Sequence, residues 1–127
     1  VDTSVLVRAA VRDDRAQADV AAKLLRNAET IAIAVPCLCE FVAVLRRFYG
    51  FKHSDAAAAI RALLNTGNVE MNRPAVEAGL AVLDAGGDFA DGAIAYEGRW
   101  LGAETFVSFD REAAEMLAAK GVPARGL

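Results

Sequence analysis

The stretch TIAIAVPCLCEFVAVLRRF, residues 30–48, changes its hydrophobic period halfway along, and that change decides the fold. Thr30 to Val35 is a short β-branched and apolar run that predicts a buried strand, closed by Pro36. From Cys37 to Phe48 the apolar side chains recur at Leu38, Phe41, Val42, Leu45 and Phe48, the spacing of one helix face. Pro36 suits the first turn of that helix, where a missing N–H is no loss. A strand that hands directly to a helix is half of a βαβ unit.

The same alternation recurs along the chain. Ser54 predicts the cap of a helix over DAAAAIRALLN that ends near Gly67, and Asn68 to Met71 reads as a strand. Pro74 opens a helix to about Leu83, stopped by Gly86-Gly87. Asp88 caps the next helix, to about Leu101. Glu104 to Ser108 is the last clear strand, and Asp110 caps the helix REAAEMLAAK before Gly121 and Pro123. The pattern predicts an α/β protein with a mostly parallel sheet flanked by helices.

A chain of 127 residues, 55% hydrophobic and 24% charged, is the size and composition of a single globular domain, residues 1–127. Apolar runs fall short of the roughly 20 residues of a membrane span, and no signal-peptide pattern is visible, which favours a cytoplasmic protein. Cys37 and Cys39 are too close for an ordinary metal-binding pair and read as buried structural thiols. The single histidine, His53, reads as a surface loop residue. A formal charge of −3 argues against nucleic-acid binding by bulk electrostatics, leaving a local basic patch or bound cations as the route to a polyanion.

The acids are placed more tellingly than they are numerous. In GGDFADGAIA, residues 86–95, Asp88 and Asp91 stand three apart at the mouth of an apolar helix. Glu40 falls in the first predicted turn after the 30–35 strand, Asp110 follows the 104–108 strand, and Asp2 heads VDTSVLV. In an open parallel sheet the strand C-termini and following helix N-termini lie along one edge, where ligands bind. Capping alone explains Asp88 and Asp110, since an acid in the first turn gains typically 0.3–1 kcal/mol from the helix dipole. It does not require Glu40, nor Asp91 inside a helix that Asp88 already caps. Carboxylates about 4 Å apart repel by roughly 4 kcal/mol at an effective dielectric near 20, so a cluster calls for hard cations such as Mg²⁺ or Mn²⁺.

Four segments resemble, in order, the motifs of the PIN-domain ribonuclease toxins of the VapC type. VDTSVLV (1–7) resembles the opening acid motif, PCLCEFVAVLRR (36–47) the second, DFADGAIA (88–95) the third and FVSFDREAA (106–114) the fourth. The resemblance implies a three-layer α/β/α fold and a Mg²⁺- or Mn²⁺-dependent endoribonuclease. It makes Asp2, Glu40, Asp91 and Asp110 the metal-binding and catalytic acids, Asp88 an accessory acid, and Ser4 and Ser108 supporting polar groups. A cation held there would activate water for attack on an RNA phosphodiester. It further implies a cognate antitoxin and a homodimer. In such domains the first Asp ends a central strand, so residues 4–7 are expected to be helical and most of that strand to lie upstream of Val1.

Arg46 and Arg47 share the Glu40 helix, and with Arg8, Arg12 and Lys52 they are candidate phosphate contacts. Trp100 and the phenylalanines fall on apolar faces and read as core. Two other readings keep the same residues: another metal-dependent phosphoryl hydrolase, acting on DNA or phosphomonoesters, and a non-enzymatic interaction domain.

Overall fold

The computed structural model describes residues 1–127 throughout, as two compact units, Val1–Asn72 and Arg73–Leu127. No helix is long and apolar enough to cross a membrane.

The first unit holds α1 (Thr3–Val11), α2 (Arg15–Asn27), β1 (Ile31–Ala32), α3 (Val35–Tyr49), α4 (His53–Leu64) and β2 (Val69–Glu70). α1 packs against α2 and α3, and α3 against α4. The apolar face read from the sequence is the one buried: Leu38, Phe41, Val42 and Leu45 of α3 are all nearly inaccessible. α3 carries Pro36 in its first turn and ends on Gly50 in the left-handed conformation (φ 66°), where only glycine is unstrained. β1 and β2 pair in parallel, Ile31 opposite Val69 and Ala32 opposite Glu70. Asn68 ties this ladder to the end of α2 by donating to the carbonyls of Leu25 (2.7 Å) and Ala28 (2.9 Å).

The second unit holds α5 (Arg73–Asp84), α6 (Phe89–Trp100), β3 (Phe106–Ser108), α7 (Arg111–Ala119) and β4 (Ala124–Gly126). β3 and β4 pair in parallel with Phe106 opposite Ala124, and α7 packs on both strands. Val82, Ala95 and Leu117 form the buried cluster, packed against Phe106, Met116, Val122 and Ala124. α5 and α6 approach so closely that a Cβ on Gly92 would lie 2.3 Å from the Ala78 carbonyl oxygen.

The α/β class and the parallel pairing stand, but the strands form two short ladders, one per unit, rather than an evident broad sheet. The strand expected over 30–35 keeps two ladder residues; the Ile33 N–H still donates to the Glu70 carbonyl at 3.0 Å, and α3 takes over the chain at Val35. Ser54 is not a cap: α4 starts one residue earlier, after Lys52, and its N-terminus has no side-chain hydrogen bond. His53 is accordingly the first residue of a helix and half-buried, not a loop residue. Cys37 and Cys39 are half-buried rather than fully buried. Phe41 and Phe89 are core, but Trp100, Phe48 and Phe109 are 73%, 78% and 83% exposed. Phe48 and Trp100 fall in the last turns of α3 and α6, where periodicity overcounts the core, and Phe109 lies between β3 and α7.

Candidate functional site

Each unit gathers part of the acid set. In the first, Asp2 is the N-cap residue of α1 in extended conformation, yet its side chain caps nothing. The carboxylate instead accepts from Ser4 Oγ at 2.9 Å. That bond first, and the Thr3 backbone N–H second, hold the Asp2 carboxyl below its ordinary pKa.

Glu40 comes beside it through Thr3, whose Oγ1 donates to Glu40 Oε2 at 2.9 Å across 37 residues of sequence. Thr3 is the one buried polar residue of the chain, 7% exposed, and the Cys37 sulfur lies 3.5 Å from the same hydroxyl. Because α3 begins at Val35, Glu40 stands in its second turn and not its first, so the helix dipole does little for it. Asp2 and Glu40 line one pocket together with Arg8.

In the second unit Asp88 caps α6, its Oδ1 accepting from the Ala90 N–H at 3.1 Å. Asp110 caps α7 in the same way, from Ala113 at 3.1 Å, and its own N–H donates to Ser108 Oγ at 2.9 Å. Asp91 lies in the first turn of α6 and is not the cap. Partial burial, then the negative charges of Asp88 and Asp110, push the Asp91 carboxyl above its ordinary pKa. Asp91 therefore lies within the field of two carboxylates, Asp88 and Asp110, each fixed by a backbone N–H group.

The donor set is all oxygen, with no histidine among it, and suits a hard divalent cation. Within either unit, however, no three acidic, imidazole or thiol side chains stand in metal-holding geometry. Of the two serines, Ser4 Oγ reaches the Asp2 carboxylate, whereas Ser108 Oγ reaches the Asp110 backbone N–H. Of the cationic candidates, Arg8 pairs with Asp13 at 2.9 Å and Arg12 with Asp19 at 2.7 Å. Arg46 donates to the Phe51 carbonyl at 3.0 Å, closing the turn after α3, while Arg47 is exposed.

Sequence reasoning passed over Thr3, although Thr3, Leu6 and Val7 are the buried face of α1 at helical spacing. It also passed over the Arg8–Asp13–Tyr49 group, in which Tyr49 Oη donates to Asp13 Oδ2 at 3.1 Å. Over residues 1–117 the sequence matches the family described as PIN domain. No curated protein matches the chain individually.

Proposed function

The chain belongs to the PIN-domain family, and from that premise we propose that it is a Mg²⁺- or Mn²⁺-dependent endoribonuclease, the toxin of a VapC-type toxin–antitoxin pair. PIN domains are generally metal-dependent nucleases, which gives the coarse class. The observation that carries the finer reading is Asp91, a carboxylate kept beside two others at a helix mouth where capping does not need it.

In this reading Asp2, Glu40, Asp91 and Asp110 are the metal-binding acids, with Asp88 accessory. A bound divalent cation supplies Lewis acidity, lowering the pKa of water and offsetting charge on the phosphodiester. The rest is done by the chain. Ser4 keeps Asp2 ionised and aimed, and Thr3 fixes one oxygen of Glu40 so that the other is free to bind. The backbone N–H groups of Ala90 and Ala113 each fix one oxygen of Asp88 and Asp110, leaving the second of each available. An anionic substrate does not approach such a surface without a counter-cation, so substrate and cation binding are coupled. A cognate antitoxin and a second copy of the chain are the partners that go with the toxin role, which rests on the four motif resemblances.

Substrate class is the test. The protein is offered total RNA, single-stranded DNA and p-nitrophenyl phosphate in parallel, each with Mn²⁺. Discrete RNA fragments with the other two untouched support the proposal. Turnover of DNA or of the monoester without RNA cleavage transfers the site to a different phosphoryl hydrolase.

A further inference from the structure

The pocket that holds Asp2 and Glu40 encloses about 470 Å³ and is also walled by Arg8, Val44, Phe48 and Tyr49. That volume lies within the roughly 300–1,000 Å³ of small-ligand sites. Two of its side chains, Phe48 and Arg8, do nothing to hold the two acids.

Phe48 is 78% exposed, a full aromatic ring left in water. Scattered exposed hydrophobes are ordinary, but Glu40, Val44 and Phe48 follow one another at four-residue spacing along one face of α3, and all three line this pocket. The ring therefore stands on the same wall as the carboxylate, two turns away. Arg8 faces the same space, and it is fixed rather than free. Its Nη1 donates to Asp13 Oδ1 at 2.9 Å, and Tyr49 Oη holds the other oxygen of Asp13 at 3.1 Å. A guanidinium has five N–H donors. The Asp13 bond uses one, and the Arg8 side chain remains 36% exposed, so donors are left for an incoming anion.

An acid pair, a clamped guanidinium and an open aromatic face within one pocket match the three parts of a nucleotide: the reacting phosphodiester, a neighbouring phosphate and a base. We infer that this pocket is a subsite for unpaired RNA, in which a base stacks on Phe48 and the adjacent phosphate takes the free donors of Arg8. The inference rests on the nuclease reading above and adds to it the two side chains, Phe48 and Arg8, that take the substrate beside Asp2 and Glu40. A base within an A-form duplex has both faces covered by its stacked neighbours and cannot lie on the ring, whereas one in a loop, bulge or single-stranded end can. Stacking on an aromatic side chain tolerates any base, so the subsite selects for unpaired nucleotides and not for a sequence.

The test measures fluorescence anisotropy of a short fluorescein-labelled single-stranded RNA of mixed sequence, and of the same RNA in a duplex, with Ca²⁺ in place of Mn²⁺. The intact chain is compared with Phe48→Ala, Phe48→Trp and Arg8→Gln, and each protein's mass is followed by sedimentation. Since the ring is exposed, the Phe48 variants should fold as the parent does, and a thermal melt checks this. The inference predicts that Phe48→Ala weakens single-strand binding by about 5- to 100-fold, that Phe48→Trp retains it, and that Arg8→Gln weakens it too. Duplex binding, already weaker, should change little with Phe48. Single-strand affinity untouched by Phe48→Ala overturns the inference, as does a Phe48→Ala protein whose only change is loss of self-association, which would make the ring a contact between copies. Mn²⁺-dependent cleavage of total RNA by the parent, run in parallel, separates the two failures. Cleavage with no Phe48 effect sinks the subsite alone, and a parent that neither binds nor cuts RNA sinks the nuclease reading with it.

Discussion

Gly92 follows Asp91 on α6 and is where the structure is least able to yield, so Gly92→Ala makes a sharp test of the packing that positions Asp91. The backbone there is helical, and propensity alone favours alanine by about 1 kcal/mol. Sterics oppose it. The added Cβ would sit 2.3 Å from the Ala78 carbonyl oxygen and 2.9 Å from the Gly79 Cα, both main-chain atoms of α5 that cannot swing aside. α5 and α6 must then separate by about 1 Å, a gap that forfeits roughly a quarter to a half of the dispersion energy of the contacts it opens. Overpacking of this kind costs about 1–3 kcal/mol, and with rigid backbone on both sides the upper half applies. Subtracting the propensity gain leaves a net loss of about 1–2 kcal/mol. At about 2.1 cal/mol/K per residue over 127 residues, that is a fall in Tm of roughly 4–8 °C. Gly98→Ala, on the same helix, is the control, because its Cβ would meet nothing closer than Ala103 at 3.8 Å. It should stabilise by about 0.5–1 kcal/mol. Urea unfolding followed by circular dichroism reads both. A Gly92→Ala protein as stable as its parent would refute the close approach of α5 and α6.

The charge state of Asp91 makes a second prediction, with its sign fixed by linkage. A carboxyl whose pKa is raised on folding weighs against the folded state once it ionises, and that penalty is relieved as pH falls through the raised pKa to below the ordinary carboxylate value. Metal-free Asp91→Asn should therefore melt above the parent near neutral pH, the gap closing in acid, and a variant that melts below the parent would make Asp91 structural. Mn²⁺ should raise the melting temperature of the parent and not that of Asp91→Asn, by the usual mass action on a folded-state ligand; equal shifts in both would put the cation elsewhere. Thr3→Val keeps the shape of a buried side chain and deletes its bond to Glu40, so it should lose about 0.5–1.5 kcal/mol in urea unfolding while Thr3→Ser loses less. A neutral Thr3→Val would mean that the hydroxyl orients nothing.

What was legible in the sequence was mostly what is local. Asp88 and Asp110 cap the helices they were expected to cap, because a capping carboxylate reaches only its own first turn. The inward face of α3 followed from its period for the same reason. α2 was passed over although Ala18, Ala21, Ala22 and Leu25 recur at helical spacing, because three of the four are alanines and the helix buries only Ala18 and Ala21, leaving Val20 71% exposed. β4 was hidden because three residues, Ala124 to Gly126, become a strand only when Phe106 to Ser108 lie beside them. The same limit applies to the site. That Thr3 joins Glu40, or that Asp13 clamps Arg8 with help from Tyr49, depends on which helices meet, and no spacing within one helix encodes it. The start of α3 two residues earlier than expected moved Glu40 a turn inward, a small error of boundary with a consequence for its electrostatics.

Joint action of Asp91 and a divalent cation on RNA can be read in a single experiment. Total RNA is incubated with the parent and with Asp91→Asn, each in Mn²⁺ and each in EDTA, and fragment ends are mapped. Discrete cleavage is expected from the parent in Mn²⁺ alone, with both EDTA and Asp91→Asn silent. Fragments at the same positions from Asp91→Asn, or from the parent after rigorous chelation, would contradict that joint action.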